Sequence, residues 1–468
     1  MDLDWGQWPH MVILVAAFLA SRIPFLNSGF GDDIDAWMMA NSSYDLITEH
    51  VYSTSRAPGY PLPEYVDSLV IKHGWLATNI LTMILSLASV IVFAKILKRL
   101  KVPNKGLLVV TYAFLPILWI NSTNTMDYMW ALTFIIFTWF FALRHQWGVA
   151  GLMMGLAVAS RITSAALILP FLYLLMTETG GRKVRNAIWF LVTSVTVSAL
   201  FFLPLFNVVL WYARHGIAYG KYDWSNASRL VQIQDMIVYS FGLVPAALAA
   251  ILVLVSLRQL YQRLVAGDKC AVFLLSAVAV VAVMFAYHPT EGSYLIPAVP
   301  FGLVLLNKIV RRDLLVILCA FLLLSSYVSF NVTRSAQGYP VFSTGAGIVG
   351  RDLKNRDDEM AFVQGILDVD LNHAVVVADW HLAVLHYLNE RASHGEPDSV
   401  FRWEEGGGGL WDRESDVLYS EALPLDDLQD LQGQGYTVYY VAAMREWTSL
   451  RWGYDLNAYG GIYLEIPH

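Results

Sequence analysis

Apolar windows recur along the first 330 residues, near 8–26, 75–97, 107–120, 128–143, 147–160, 162–177, 187–212, 236–257, 270–287, 293–310 and 313–330. A bilayer is crossed by about 20 such residues, or fewer where the helix tilts or ends in interfacial tryptophan. A chain with this many windows cannot bury them in one water-surrounded core, because such cores stop growing near ~250–300 residues. The charged share is 15%, against the ~25% of an ordinary soluble domain. The expected fold is therefore mainly α, a polytopic membrane protein with about eleven transmembrane helices. The first window has no Lys or Arg before it and no small-x-small site after it, so it reads as a retained span and not a cleaved signal.

Charge divides the chain. Residues 331–468 carry 22 acidic and 9 basic side chains, whereas residues 1–330 carry 16 and 22. This split predicts two domains, 1–330 in the membrane and 331–468 as a small soluble unit. The acidic unit argues against a nucleic-acid partner. Within it, Ala374–Ala378 reads as a buried strand, Asp379–Glu390 as a helix, and Tyr436–Ala442 and Gly461–Ile466 as strands, which makes a small α/β domain. Gly406–Gly409 reads as a flexible loop without the spacing of a phosphate-binding loop. Cys270 and Cys319 lie in apolar stretches and read as buried free thiols.

Basic residues then orient the spans. Lys95, Lys98, Arg99, Lys101 and Lys105, then Arg144, then Arg182, Lys183 and Arg185, then Arg258, Arg263 and Lys269, then Lys308, Arg311 and Arg312 occupy every second loop. The intervening short loops at 121–127 and 288–292 hold no Lys or Arg. The positive-inside rule puts the basic loops and the N-terminus in the cytoplasm, and eleven spans put the C-terminal domain outside. That alternation requires a break at Ser160-Arg161, giving two short helices there. The sequons at Asn41, Asn121, Asn226 and Asn331 all fall on the external side.

Functional residue types collect on that same side. The long first external loop, about 27–74, holds Asp32, Asp33 and Asp35, an apolar Ala36–Ala40 stretch suited to a surface helix, and the Pro- and Gly-rich segment from Ser53 to Glu64. Carboxylates beside a bilayer are costly, and clustered ones raise each other's pKa, which suits a general base or a metal site; a solvated acidic loop is the plain alternative. Arg161 and Arg56 read as phosphate clamps or as arginines reaching toward headgroups. Asp127 begins a span, where an acid suits a helix N-terminus. His288 and Glu291 lie in a short external loop within reach of the same region.

Asp33-Ile34-Asp35-Ala36-Trp37 resembles the first-loop acidic motif of the GT-C superfamily of membrane glycosyltransferases, close to the protein mannosyltransferases. Ser55-Arg56-Ala57-Pro58-Gly59-Tyr60-Pro61 is similar to the segment that follows it in that superfamily. Asp127 resembles an acidic position of the second external loop, Gly155–Arg161 the Gly-x-Ala…Arg stretch, and Tyr294-Leu295-Ile296-Pro297-Ala298-Val299-Pro300 the late Tyr-Leu-x-Pro-x-x-Pro span. The likeness runs over residues 20–310. It departs in carrying Asp-Asp and Asp-x-Asp where many members have Asp-Glu, and Glu291-Gly292-Ser293 where many have an Arg before the late Tyr.

This resemblance implies transfer of a sugar from a polyprenyl- or dolichyl-phosphate donor to a hydroxyl of a lipid, glycan or protein acceptor on the extracytoplasmic side. Asp33 is the implied base, with Asp35 or Asp32 orienting it or the acceptor. Arg161 and Arg56 would bind the donor phosphate, and Asp127, Tyr60, Glu64, His288, Glu291 and Tyr294 would face substrate. Closely spaced aspartates also suit Mg²⁺ or Mn²⁺, though a lipid monophosphate leaves without one. The competing readings are a transporter or flippase of lipid-linked sugars, a polymerase or ligase of the same fold, and a membrane scaffold. Transport fits less well, because the acids cluster outside and not near the midplane.

Overall fold

The computed structural model describes every residue except 1–7, 49, 51, 178–181, 216–225, 335–339, 393–399, 403–407, 413–414, 442–443, 445–447, 450–452 and 467–468. Each apolar window is helical over most of its length, and the end of the last one, 328–330, opens a strand. The helices are α1 (Trp8–Arg22), then α2 (Ile34–Thr48) and α3 (Pro61–Ser68) in the first loop, then α4 (Trp75–Arg99), α5 (Lys105–Phe114), α6 (Pro116–Asn121), α7 (Asp127–Ala142), α8 (Trp147–Ser160) and α9 (Ile168–Met176). There follow α10 (Lys183–Phe202), α11 (Phe206–His215), α12 (Asn226–Phe241), α13 (Leu243–Val255), α14 (Leu257–Val265), α15 (Lys269–Tyr287), α16 (Val299–Ile309) and α17 (Arg312–Leu324). Among the described residues, four helical stretches are long and apolar enough to cross a membrane: Trp75–Arg99, Lys183–Arg214, Lys269–Tyr287 and Gly292–Ile309. Five more apolar helices are shorter.

The breaks have local causes. Pro116 divides the window 107–120, since the residue before a proline is pushed into extended geometry and Leu115 has ψ 130°. Arg161 is extended, at φ −155° and ψ 112°, so α8 ends there and a 3₁₀ turn (Ile162–Leu167) leads into α9. The expected break at Ser160-Arg161 is thus present. The window 236–257 is bent by 110° between α12 and α13. Gly242 makes that bend at φ +88°, a conformation closed to most side chains. Helices α8 and α10 approach closely because Gly151 and Gly155 face α10. A Cβ on Gly151 would lie 2.4 Å from the Phe190 carbonyl oxygen, and Ser194 Oγ donates to the Gly151 carbonyl at 3.0 Å. This is the small-xxx-small packing that lets membrane helices meet without a hydrophobic drive between them.

After α17 comes a hairpin of β1 (Val328–Arg334) and β2 (Pro340–Ala346), then α18 (Ile348–Leu367). A six-stranded sheet follows, ordered β4-β5-β6-β3-β7-β8, with β3 (Ala374–Val377), β4 (Val400–Arg402), β5 (Gly408–Asp412), β6 (Val417–Ser420), β7 (Thr437–Tyr440) and β8 (Ile462–Tyr463). Strand β3 lies between two parallel neighbours and is buried throughout, which explains its unbroken apolar run. Helix α19 (Leu382–Ala392) follows β3, and α20 (Leu425–Gly433) precedes β7. Gly408 and Gly409 are strand residues paired with β4 and β6, not loop as expected, because a central antiparallel strand accepts glycine once both neighbours supply its hydrogen bonds; Gly406 and Ala442 lie outside the described residues.

This sheet unit is docked on the first loop. Asn41 Nδ2 of α2 donates to the Ala383 carbonyl of α19 at 2.9 Å. The Tyr387 ring sits among Phe30, Trp37 and Trp75, with its centroid 4.7 Å from that of Phe30. Arg356 of α18 is buried and donates to the Thr123 carbonyl at 2.9 Å. Asn41 and Asn121 are themselves buried, so neither sequon is open to an oligosaccharide in the folded protein.

Candidate functional site

Five backbone features bring distant residues together. Asp33 follows α1 and begins the turn into α2, with its Oδ1 accepting from the Asp35 backbone N–H at 3.0 Å. Arg56 stands on the loop before α3. Asp127 opens α7, where its charge meets the positive end of the helix. Arg161 is the residue at which α8 breaks, and Glu291 precedes the 3₁₀ turn Gly292–Ala298.

These residues form one network. Arg161 Nη1 donates to Asp127 Oδ2 at 2.7 Å, and Arg56 Nη2 to Asp127 Oδ1 at 3.2 Å. Arg56 also pairs with Asp35. One buried carboxylate therefore holds two guanidinium groups. Both cations lie over tyrosine rings, Arg56 4.4 Å from the Tyr60 centroid, and Arg161 4.2 Å from Tyr128 and 4.7 Å from Tyr294. The Tyr128 hydroxyl donates to Glu291. Each of Asp33, Asp35 and Glu291 offers a carboxylate oxygen within 4.8 Å of the other two. Burial, and then the Asp35 charge, raises the Asp33 carboxyl above its ordinary range. Burial, then Asp33 and Asp35, raises Glu291 in the same way. Three hard oxygen donors suit a divalent cation such as Mg²⁺ or Mn²⁺, and Arg56 already offsets part of their charge.

Of the residues singled out in the sequence, Asp33, Asp35, Arg56, Tyr60, Asp127, Arg161, Glu291 and Tyr294 meet here. Three others lie apart. Asp32 turns toward the C-terminal unit and accepts from Asn355 Nδ2 at 3.1 Å. Glu64 is fully buried, and its carboxylate accepts from the Ser55 N–H at 3.0 Å, the Tyr60 N–H at 3.1 Å, and the Ser55 and Tyr52 hydroxyls. With its oxygens so occupied it fixes the loop that carries Arg56. His288 stacks on Tyr294 at 6.2 Å, and burial lowers its pKa. Tyr128 was not singled out in the sequence, although it stands beside Asp127 on a helix that opens at the site.

Beside the network is a cavity of about 230 Å³. Asp32 and Asp33 line it from the first loop, Asn121 and Asn124 from the chain after α5, Tyr239 from α12, and Asp352 from α18. Burial raises Asp352 to about 6, and Arg356 pairs with it at 2.8 Å.

Neither a family model nor a curated protein matches the chain. Among solved structures, its fold is similar to ArnT from Cupriavidus metallidurans in the apo state, at 14% identity and a TM-score of 0.45. The match covers 64% of this chain and 58% of that one.

Proposed function

We propose that the protein is an integral membrane glycosyltransferase that takes a sugar from a polyprenyl- or dolichyl-phosphate donor and passes it to an acceptor hydroxyl at the outer membrane face. One observation carries the reading. A half-buried carboxylate held above its ordinary range, Asp33, stands within one cluster of two guanidinium groups fixed by a shared buried aspartate. In this reading the acceptor oxygen attacks the anomeric carbon and Asp33 accepts the hydroxyl proton. The bond from the anomeric carbon to the phosphate oxygen breaks, and the lipid phosphate leaves with its electron pair. Arg56 and Arg161 face the charge that develops on that oxygen. Arg56 Nε is buried with no acceptor among the described residues, which leaves a fixed N–H for a phosphate. Asp127 sets both arginines in place, and the tyrosine rings exclude water around them.

A divalent cation, if the enzyme uses one, would sit on Asp33, Asp35 and Glu291 and help to neutralise the phosphate. Residues 1–330 would form the transferase domain. The 331–468 unit would lie outside the membrane, and the N-terminus in the cytoplasm.

The test uses purified protein in lipid, a radiolabelled polyprenyl-phosphate sugar and an acceptor extract. Label should reach acceptor with wild type and not with Asp33→Asn. Label that crosses the membrane without any transfer would replace this reading with transport.

A further inference from the structure

Asp33 belongs to two surroundings. On one side it neighbours Asp35 and Glu291 beside the arginines. On the other it lines the 230 Å³ cavity, which neither Arg56 nor Arg161 lines. If Asp33 takes a proton from an acceptor, the hydroxyl must approach from one of these two sides, and the arginine side is where a phosphate is drawn.

The cavity states what it would hold. Asp32, Asp33 and Asp352 present carboxylates, which when ionised only accept hydrogen bonds, and no Lys or Arg lines it. An anion is therefore repelled, and a ligand must bring donors. Asn124 supplies the second, independent observation. It is 4% exposed, it lines this cavity, and its Oδ1 has no partner among the described residues. Leaving a buried amide oxygen unpaired costs a fold about 1–3 kcal/mol, so such a group calls for a reason, and a bound hydroxyl is one. The Tyr239 hydroxyl adds a group that both gives and accepts, whereas the Asn121 Nδ2 is already engaged with the Ile117 carbonyl at 2.8 Å and Ser293 Oγ at 3.3 Å. The volume is below the ~300–1,000 Å³ of pockets for drug-sized ligands, which is room for one ring and not for two.

We propose that this cavity is the acceptor pocket of the transferase, and that it seats a single hydroxyl-rich ring that carries no anionic group. The proposal rests on the transferase reading. It also gives the C-terminal unit a part in recognition, since α18 supplies one wall through Asp352, and its Asn355 holds Asp32 in place at 3.1 Å.

Three probes test it on the full chain in lipid nanodiscs, by saturation-transfer NMR: a neutral methyl hexoside, a methyl hexuronoside and a methyl amino-hexoside. The neutral and the amino hexosides should saturate wild type, with the hexuronoside weaker. Asn124→Ala should weaken binding of the neutral hexoside about tenfold, the loss of one well-made hydrogen bond, without a fall in melting temperature, since it removes an unpaired group. Ser293→Ala, at another residue that lines the cavity, serves if that variant does not fold. Tighter binding of the hexuronoside, or equal binding by wild type and the variants, overturns the proposal. Label transfer from the lipid-linked donor is read in the same samples. Variant-sensitive binding without any transfer overturns only the transferase reading, and transfer with variant-insensitive binding overturns only the pocket.

Discussion

Arg22 and Arg161 both stand at the C-terminal end of an apolar helix, where a cation suits the helix dipole, and both are buried against aromatic rings. Arg22 lies 4.1 Å from the Phe18 centroid and 4.5 Å from that of Trp119. Its guanidinium donates to the Ala113 carbonyl, to Ser122 Oγ at 3.3 Å and to Ser21 Oγ at 2.8 Å. All these partners are neutral. Arg161 has a comparable aromatic cage but pairs with Asp127, which also holds Arg56. The first cluster joins α1 to the chain around α5 and α6 and has nothing to exchange. The second contains charges of both signs, which in the proposed reaction an incoming phosphate would re-partner. Burial and aromatic cover are shared; the carboxylate network is what sets the second cluster apart.

The largest effect expected from breaking this contrast is at its base. Asp33→Asn should lower turnover by roughly 10²–10⁴ with the fold intact, as measured by label transfer and melting temperature. Arg161→Ala should come next, with a loss of about 10²–10³ in turnover, and Arg161→Lys should recover only part of it because an ammonium lacks the planar fork. Arg22→Met is the opposite arm. It should cost about 1–3 kcal/mol of stability by leaving the Ala113 carbonyl and Ser122 without their donor, while turnover per folded molecule stays as in wild type. A loss of turnover there without a loss of stability would erase the contrast.

Two pH measurements sharpen it further. Asp33 is held above its ordinary range and accepts a proton only when ionised, so kcat/KM should rise with pH along an acid limb above the ~3.9 of a free aspartate. The smallest effect is on folding. Asp352 is raised from 3.8 to about 6. A carboxyl that ionises less readily in the fold adds stability that is fully present below its unfolded pKa and lost as pH rises through the folded one. Melting temperatures of wild type relative to Asp352→Asn should therefore fall between pH 4 and 7.

Much of this site was legible in the sequence, because each contributing residue is an ionisable or aromatic group at the end of an apolar window. Asp33, Asp127 and Arg161 announce themselves by their cost beside a bilayer. The errors share a cause too. Asp32 and Asp33 are neighbours in the chain, yet one turns to Asn355 and the other to the network, and residue type does not encode direction. Glu64 has the type of a substrate contact and the position of a loop brace. Asp352, Asn355 and Arg356 were read as parts of a separate soluble unit, since some 230–320 residues separate them from the groups they meet. The bend at Gly242 hides inside an apolar run that reads as one straight span.

The place of α18 has a consequence for how the protein is made. A ribosome releases the first loop, Asp33 and both arginines long before residues 348–367 exist. During that interval the carboxylates are in place but the cavity beside them lacks its last wall and the pin that Arg356 makes to Thr123. A nascent or truncated chain thus carries the groups proposed to react without a closed cavity beside them, and residues 348–367 complete that wall.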